Sequence, residues 1–204
     1  KGFDGTGPRE WNIREAWIKN SAGQKLIDFR ELNLHVVSYS SPIHQRMLLA
    51  ELREHLFTIP EHPAWVPYRT SYYEESWGFC LSAEQMLLFD DDQEYEVLID
   101  SSLRDGHLTY GEYFLPGEEK KEMLISCHIC HPSVANDNLS GIALAVALAR
   151  RLAHLPRRSS YRFLFVPGTI GSITWLARNE ATLSHIEHGL VLTCVGDERS
   201  LTYK

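Results

Sequence analysis

The feature that most constrains the fold is a repeated alternation of apolar runs and helical repeats after Lys120. Met123 to Ile125 is a short apolar run, and beyond a polar turn the apolar residues from Leu139 to Ala153 recur at spacings of three and four, which predicts a helix. The predicted elements are strand 123–127, helix 138–153, strand 161–166, helix 173–183 and strand 189–195. Such alternation indicates an α/β fold with a mostly parallel sheet and helices on its faces.

The residues before Lys120 have a different character, because short alternating runs and many aromatic side chains predict a β-rich region over 35–115. Asp105-Gly106 predicts the turn of a hairpin within 103–115. Helical spacing predicts one short helix over 47–57, and the segment 11–18 fits either a helical turn or an edge strand. The predicted strands of this region are 34–40, 71–73, 77–81 and 95–100.

A crowd of potential metal ligands follows strand 123–127, at the sheet edge where α/β proteins place their ligands. It consists of Cys127, His128, Cys130, His131 and Asp137. Imidazole and carboxylate groups suit zinc, and two histidines followed by a carboxylate at a helix start favour a metal site over a structural histidine.

Two aspartates near this edge fit a second interpretation as well. Asp137 could be a plain N-cap of the following helix. Asp197 could be either a ligand from a neighbouring strand end or a turn residue after the last predicted strand.

The Cys127 and Cys130 pair suggests three other kinds of site. A zinc ribbon would need a second cysteine pair, which the sequence lacks. A redox motif would place its first cysteine at the start of the helix, whereas the predicted helix begins about ten residues after Cys127. A nucleophilic cysteine hydrolase would need a third group to orient the histidine, and none is evident. In an extended segment the two side chains point to opposite faces, so at least one is predicted to be a core residue.

Composition excludes several classes of function. The 204 residues have a formal charge of -7, which gives no basic footprint for nucleic acid, and no apolar run reaches the length of a membrane span. The four cysteines do not form a disulfide framework, so we expect a cytoplasmic protein, although a leader could precede Lys1. The last residues follow directly on a strand, which indicates a fragment.

Three motifs together resemble a known family. They are Ser126-Cys-His-Ile-Cys-His-Pro-Ser-Val-Ala-Asn-Asp-Asn-Leu-Ser-Gly141, Val166-Pro-Gly-Thr-Ile-Gly-Ser172 and Leu192-Thr-Cys-Val-Gly-Asp197. The chain resembles, along nearly its whole length, the aminopeptidase-like family related to the zinc aminopeptidases. The resemblance implies a three-layer α/β/α core, truncated at its C-terminal side, formed by 1–34 and 116–204. It also implies an inserted β-rich domain over 35–115.

The same resemblance implies a zinc-dependent hydrolase of small peptide or amide substrates. In the zinc aminopeptidases a histidine at a strand end, an aspartate in an Asn-Asp-Asn loop and a later aspartate hold the metal. By similarity the ligands are His128 or His131, Asp137 and Asp197.

Three departures from the family pattern bear on the site. The glutamate that serves as general base is expected within 167–172, which contains no carboxylate, and Gly168 stands in its place. Cys130 stands where related enzymes have an aspartate that supports the histidine, and the final histidine ligand is expected beyond Lys204. The catalytic residue is therefore unknown. A catalytically impaired metal-binding or substrate-binding module is the alternative function.

Overall fold

The computed structural model describes residues 6–130 and 135–198, and its chain forms two compact units. One is a β-rich unit, Pro8–Gly106, and the other is an α/β unit made mainly of the residues from His107 onward. No helix in the described ranges is both long and apolar enough to span a membrane.

The β-rich unit is built on a four-stranded antiparallel sheet with the strand order β2-β1-β6-β3. Apolar residues alternate along β1 and β6, and their inward side chains form a continuous core that includes Ile18, Val97 and Ile99. The elements are β1 (Glu10–Lys19), β2 (Lys25–Asp28), β3 (Ile43–Leu48), α1 (Leu49–Leu52), β4 (Leu56–Phe57), β5 (Phe79–Cys80), α2 (Ala83–Met86) and β6 (Glu94–Arg104). Short 3₁₀ turns occupy Asn33–His35 and Arg53–His55.

The α/β unit has a second four-stranded sheet with the order β10-β8-β9-β7, in which β8, β9 and β10 are parallel and β7 is antiparallel. Its elements are β7 (Gly111–Leu115), β8 (Glu122–His128), α3 (Gly141–Ala153), β9 (Ser160–Val166), α4 (Ile170–Arg178), α5 (Glu180–Leu183) and β10 (Ile186–Val191).

The two faces of this sheet are covered by different helices. Ala145 and Ala149 of α3 pack with Cys127 and Phe163, whereas Trp175 of α4 packs with Leu164. Because neighbouring strand residues point to opposite faces, this is a helix–sheet–helix arrangement and confirms the predicted α/β fold class.

The predicted helix over 47–57 is observed only in part. Met47 lies opposite Tyr95 in the sheet, so the strand β3 continues through Leu48, and only the single turn of α1 and the 3₁₀ turn Arg53–His55 are helical before β4 begins. The apolar spacing that predicted the helix comes from Leu49 and Leu52, which are fully buried. The residues before them are extended because they pair with β6, and this pairing outweighs their helical pattern.

The predicted hairpin at Asp105-Gly106 is also wrong, because β7 pairs with β9 and not with β6. The predicted strand 34–40 is a 3₁₀ turn followed by isolated bridges, and 71–73 forms bends. The segment 11–18, in contrast, is the interior strand β1.

The unit boundaries therefore differ from the predicted division into 1–34 with 116–204 and an insert over 35–115. The strands β1 and β2 precede residue 35 but belong to the sheet of the β-rich unit, since β1 pairs with β6 over most of its length. Conversely, β7 belongs to the α/β sheet. The β-rich unit is Pro8–Gly106.

The strands predicted for the α/β unit agree well with β8 and β9, whereas its other elements begin or end elsewhere. Strand 189–195 is observed as β10, which begins earlier and ends at Val191. Helix 138–153 begins at Gly141, and helix 173–183 is divided at Asn179 into α4 and α5.

Candidate functional site

The candidate site lies where the three parallel strands of the α/β unit end. β8 ends at His128 and β9 at Val166, which lie opposite each other, while β10 ends at Val191. The segments that follow these strands contain the motifs singled out in the sequence, as expected for the carboxyl edge of a parallel sheet.

His128 and Asp137 are in direct contact at this edge. The imidazole Nε2 of His128 lies 2.5 Å from Oδ1 of Asp137. The exposed fractions of the two side chains are 23% and 46%, so both reach solvent while His128 stays anchored on β8. The structure thus brings together two of the four predicted metal ligands.

Asn138 holds this arrangement in place. It is a buried side chain whose Nδ2 donates to the carbonyl of Leu192 at 2.9 Å and to that of His128 at 3.4 Å. Its Oδ1 accepts the backbone N–H of Cys194 at 3.1 Å. One amide therefore connects the end of β8 with the segment that follows β10, next to the Asp137 carboxylate.

Asn136 makes a second connection between the same two segments. Its Oδ1 accepts the backbone N–H of Gly196 at 2.8 Å, and its Nδ2 donates to Oδ2 of Asp197 at 3.4 Å. Ser140 reinforces it, because its hydroxyl donates to the Asn136 carbonyl and accepts from the N–H of Val195. Asp197 is thus held beside Asn136.

Gly141, the first residue of α3, allows these segments to approach closely. A Cβ at this position would lie 2.5 Å from both the Leu192 carbonyl oxygen and Oδ1 of Asn138. Any side chain would therefore displace the amide that joins the two segments.

Gly168, where the resemblance led us to expect a glutamate, lies beside His128. Its N–H donates to Sγ of Cys130 at 3.0 Å. A Cβ at position 168 would lie 2.8 Å from that sulfur and 3.4 Å from the Cβ of His128. The Cys130 thiol therefore occupies the space that a side chain at position 168 would need.

The other cysteine of the pair has a structural role. Cys127 is buried in the core under α3, and burial raises the pKa of its thiol to about 11. A thiol with this pKa stays protonated near neutral pH and is a poor nucleophile. This agrees with the prediction that at least one cysteine is a core residue.

The described residues bring two potential zinc donors together. Imidazole and carboxylate oxygen are zinc donors, and His128 and Asp137 present both kinds at one strand end. Among residues 6–130 and 135–198, however, no three His, Cys, Asp or Glu side chains are grouped closely enough to hold a metal. His131 lies outside the described residues.

The roles of Asn138, Ser140 and Gly141 were not identified from the sequence. The polar triplet 136–138 was the available signal, since it is more than one helix cap requires. Its partners lie more than fifty positions away along the chain and could not be read from local sequence.

Comparison with known proteins identifies relatives of the whole chain. A family described as a domain of unknown function, DUF4910, matches residues 4–204. A Clostridium acetobutylicum protein is 55% identical over 206 residues, which span all of this chain and 47% of that protein. Its provisional name is polysaccharide biosynthesis protein with aminopeptidase-like domain. The chain thus spans about half the length of this relative.

Two solved structures share the fold. A crystal structure from Clostridium acetobutylicum, provisionally called a peptidase, has a TM-score of 0.94 and 56% identity, covering 97% of this chain and 47% of that one. BSAP, a zinc aminopeptidase from Bacillus subtilis, has a TM-score of 0.58 at 13% identity, covering 92% of this chain and 60% of that one. At this identity the second likeness concerns the fold alone.

Proposed function

The chain belongs to the DUF4910 family, and from this premise we propose that it is part of a zinc-dependent aminopeptidase-like hydrolase acting on small peptide or amide substrates. A relative with an aminopeptidase-like domain and the fold shared with a zinc aminopeptidase support the proposal. The observation that carries it is the contact between His128 and Asp137 at the end of β8.

In this proposal His128 and Asp137 hold the metal, with Asp197 and His131 as candidates for the further donors that a zinc site requires. Zinc bound there would polarise a substrate carbonyl and lower the pKa of a bound water. The sequence left His128 and His131 as alternatives, and the contact with Asp137 favours His128.

The chain's own residues orient these ligands. Asn138 fixes the segment that carries Asp137 by bonding the Leu192 carbonyl and the Cys194 N–H. His128 is fixed by its place on β8, which pairs with β9 as far as Val166. Both side chains are thus positioned by hydrogen bonds and strand pairing within the chain.

A catalytically impaired binding module on the same fold is the second candidate function, and the contact between Gly168 and Cys130 favours it. No carboxylate can project from position 168, because a glycine occupies it and the thiol fills the adjoining space. General-base assistance is typically worth about 10²–10⁴-fold in rate. We therefore expect the chain to bind zinc but to release N-terminal residues slowly.

Zinc binding to the purified full chain tests the ligand assignment. His128→Ala and Asp137→Ala should each weaken zinc binding, measured by calorimetry and metal analysis, by more than about 10-fold, since each removes a ligand. His154→Ala, which removes an exposed histidine at the end of α3, is the matched control and should leave zinc binding unchanged. Zinc binding unaltered by the first two changes would contradict the assignment.

Release of N-terminal residues from aminoacyl substrates separates the two candidate functions. Gly168→Glu alone should not raise turnover, because its Cβ meets the Cys130 sulfur. Gly168→Glu combined with Cys130→Gly should raise it, because the combination supplies both a carboxylate and the space for it. Brisk zinc-dependent turnover by the unaltered chain would exclude the impaired module.

A further inference from the structure

The β-rich unit carries two adjoining cavities lined by aromatic and polar side chains, and we propose that together they bind a neutral oligosaccharide. Their volumes are about 620 Å³ and about 520 Å³. Each is in the range of small-molecule sites, and both lie in a unit that contains none of the candidate metal ligands. The inference is independent of the proposed hydrolase function.

The two cavities share one wall. Glu54, His55 and Trp77 line both of them. The His55 imidazole stacks on the Trp77 indole with 3.7 Å between ring centroids and 15° between planes, and His55 Nδ1 lies 3.0 Å from the Trp77 carbonyl oxygen. The shared wall is thus a pair of flat rings in a fixed orientation, bordered by a carboxylate.

The larger cavity is shaped by a close approach of the backbone at Gly78, the residue after Trp77. A Cβ there would lie 2.7 Å from the Phe57 ring and 2.9 Å from the His55 carbonyl oxygen. Because position 78 has no side chain, Trp77, His55 and Phe57 can converge on one place. Phe57 lines the larger cavity, and the Arg69 guanidinium lies 4.1 Å from its ring centroid.

Aromatic rings continue beyond this cavity. Tyr72 lines it and meets Tyr39 edge to face at 4.8 Å, and Tyr39 in turn stacks near Trp11 at 5.9 Å. Tyr73, also in the lining, is 73% exposed. Tyr72 and Tyr73 are exposed, whereas Trp11, Tyr39 and Trp77 are half-buried. Together they form a partly exposed aromatic surface, which is a feature of binding sites.

The mixture of groups selects the ligand class. Ring faces pack against the apolar C–H faces of sugar rings, while the hydroxyls of Ser71, Tyr72 and Tyr73 can both donate to and accept from sugar hydroxyls. Glu54 and Glu74 add acceptors, and neither carboxylate has an ion pair or hydrogen bond within the described part of the chain.

The charge of the lining favours a neutral saccharide. The two linings together contain three carboxylates, of Glu51, Glu54 and Glu74, and one guanidinium, so they give no basic field, and polyanions such as nucleic acids or acidic glycans are disfavoured. The smaller cavity is lined in part by Ile43, Gln45 and Met47 of β3, an edge strand of the sheet, so a peptide that pairs with this strand is the alternative occupant that the experiment has to exclude. Two cavities in succession suit a chain of several sugars.

A panel of immobilised neutral oligosaccharides, from disaccharides to hexasaccharides, tests the proposal with the full chain. We expect binding to at least one neutral glycan, with affinity rising with chain length until both cavities are filled. The best glycan is then titrated calorimetrically. Trp77→Ala should weaken its binding by about 10-fold or more, because it removes the shared ring.

Two further variants keep the test independent of folding. Tyr73→Ala removes an exposed ring and should weaken binding about threefold while thermal unfolding stays unchanged. Trp65→Ala removes a ring that is 60% exposed and stacks on His62 outside both cavities, so it should have no effect. Absence of any neutral glycan bound by the unaltered chain overturns the proposal. Binding of acidic glycans or peptides alone, or equal loss in Trp65→Ala, overturns it too.

Discussion

The two units of the chain differ in how continuous their apolar cores are. In the β-rich unit the residues of one continuous core, such as Ile18, Leu49 and Phe79, are fully buried. The core of the α/β unit is divided between the two faces of its sheet. Large apolar side chains remain exposed in both units, among them Leu87 and Val191.

This difference shows that the candidate metal site and the best-packed core lie in different units. The α/β unit places its polar loops at a sheet edge, and it fixes them by side-chain amides such as Asn138 rather than by apolar burial. Loops held by few contacts open at lower free energy than packed strands. We therefore expect β1 and β6 to show more protection from amide exchange than the segments around the site.

Matched phenylalanine truncations give the largest test of this comparison. Phe79 and Phe163 are both fully buried, one in each unit. Each change to alanine should lower the free energy of unfolding by about 3–5 kcal/mol, because it leaves a cavity in a packed core. Chemical denaturation with amide exchange checks where protection is lost.

The location of the loss decides the outcome of that experiment. Phe79→Ala should deprotect β1 and β6, and Phe163→Ala should deprotect β8 and β9. Tyr113→Ala, which removes a half-exposed ring on β7, is the control and should cost less than about 1 kcal/mol. If Phe79→Ala or Phe163→Ala lowered the protection from amide exchange equally in both units, the two units would not have separate cores.

Removal of a buried charge tests the α/β unit specifically. The Arg162 guanidinium makes two bonds to Glu122, at 2.7 and 3.0 Å, and also pairs with Glu112. Since Glu122 is buried, Arg162→Met should lower the free energy of unfolding by about 3 kcal/mol, because it leaves the Glu122 carboxylate with only the more distant His185 imidazole, 4.0 Å away, as an ion-pair partner among the described residues. Glu122→Gln in the same background should recover part of this loss, as measured by urea denaturation. No recovery would mean that Arg162 acts through packing on Phe114 and Trp175.

Removal of the Ser40 hydroxyl in the β-rich unit should have an effect of intermediate size on stability. The buried Ser40 Oγ donates to the Val37 carbonyl at 2.6 Å and accepts the Gly78 N–H at 3.2 Å. It follows Tyr39, whose φ of 70° is uncommon for a residue with a side chain. Ser40→Ala should lower the free energy of unfolding by about 1–3 kcal/mol, because the Gly78 N–H loses its acceptor. Ser21→Ala, at an exposed turn, should change it by less than about 0.5 kcal/mol.

The smallest expected effect is a pH dependence from Asp28. Burial raises the pKa of this carboxyl, but the bonds from Lys25 Nζ and the Arg30 N–H outweigh it, so the pKa is lowered on folding. Its contribution to stability is therefore present above the ordinary pKa of about 3.9 and is lost as pH falls through the folded value.

We expect this contribution to be under about 1 kcal/mol, because Lys25 is partly exposed. Asp28→Asn should flatten the acid limb of a stability profile measured by denaturation, and Asp92→Asn, at an exposed turn, should not. If the stability of Asp28→Asn fell at low pH as steeply as that of the unaltered chain, the acid-induced loss of stability would come from other carboxyl groups.

The sequence predicted the α/β unit better than the β-rich unit for a physical reason. Strand 123–127 and helix 138–153 have local periodicity, and β8 and α3 follow it with shifted ends. The strands of the β-rich unit are defined by distant pairing instead. β1 lies against β6, about eighty residues away, so neither its interior position nor the true end of β3 could be read locally.

The same limit applies to the site. His128 and Asp137 lie nine positions apart, and their residue types identified them as a pair that could meet. Asn136 contacts Asp197 and Asn138 contacts Leu192 across more than fifty residues of sequence, so the residue types could be identified in advance but these contacts could not. Cys130 stands where related enzymes have an aspartate that supports the histidine, and its contact with the Gly168 N–H could not be inferred from the residue type.

The contact between Cys130 and Gly168 also has an evolutionary consequence. A glutamate gained at position 168 collides with the thiol, and loss of the thiol alone supplies no carboxylate. Neither substitution by itself provides a usable carboxylate in the site, so we expect positions 130 and 168 to change together among related proteins. In an alignment of many relatives, a small residue at position 130 should accompany an acidic residue at position 168, and a cysteine should accompany a glycine.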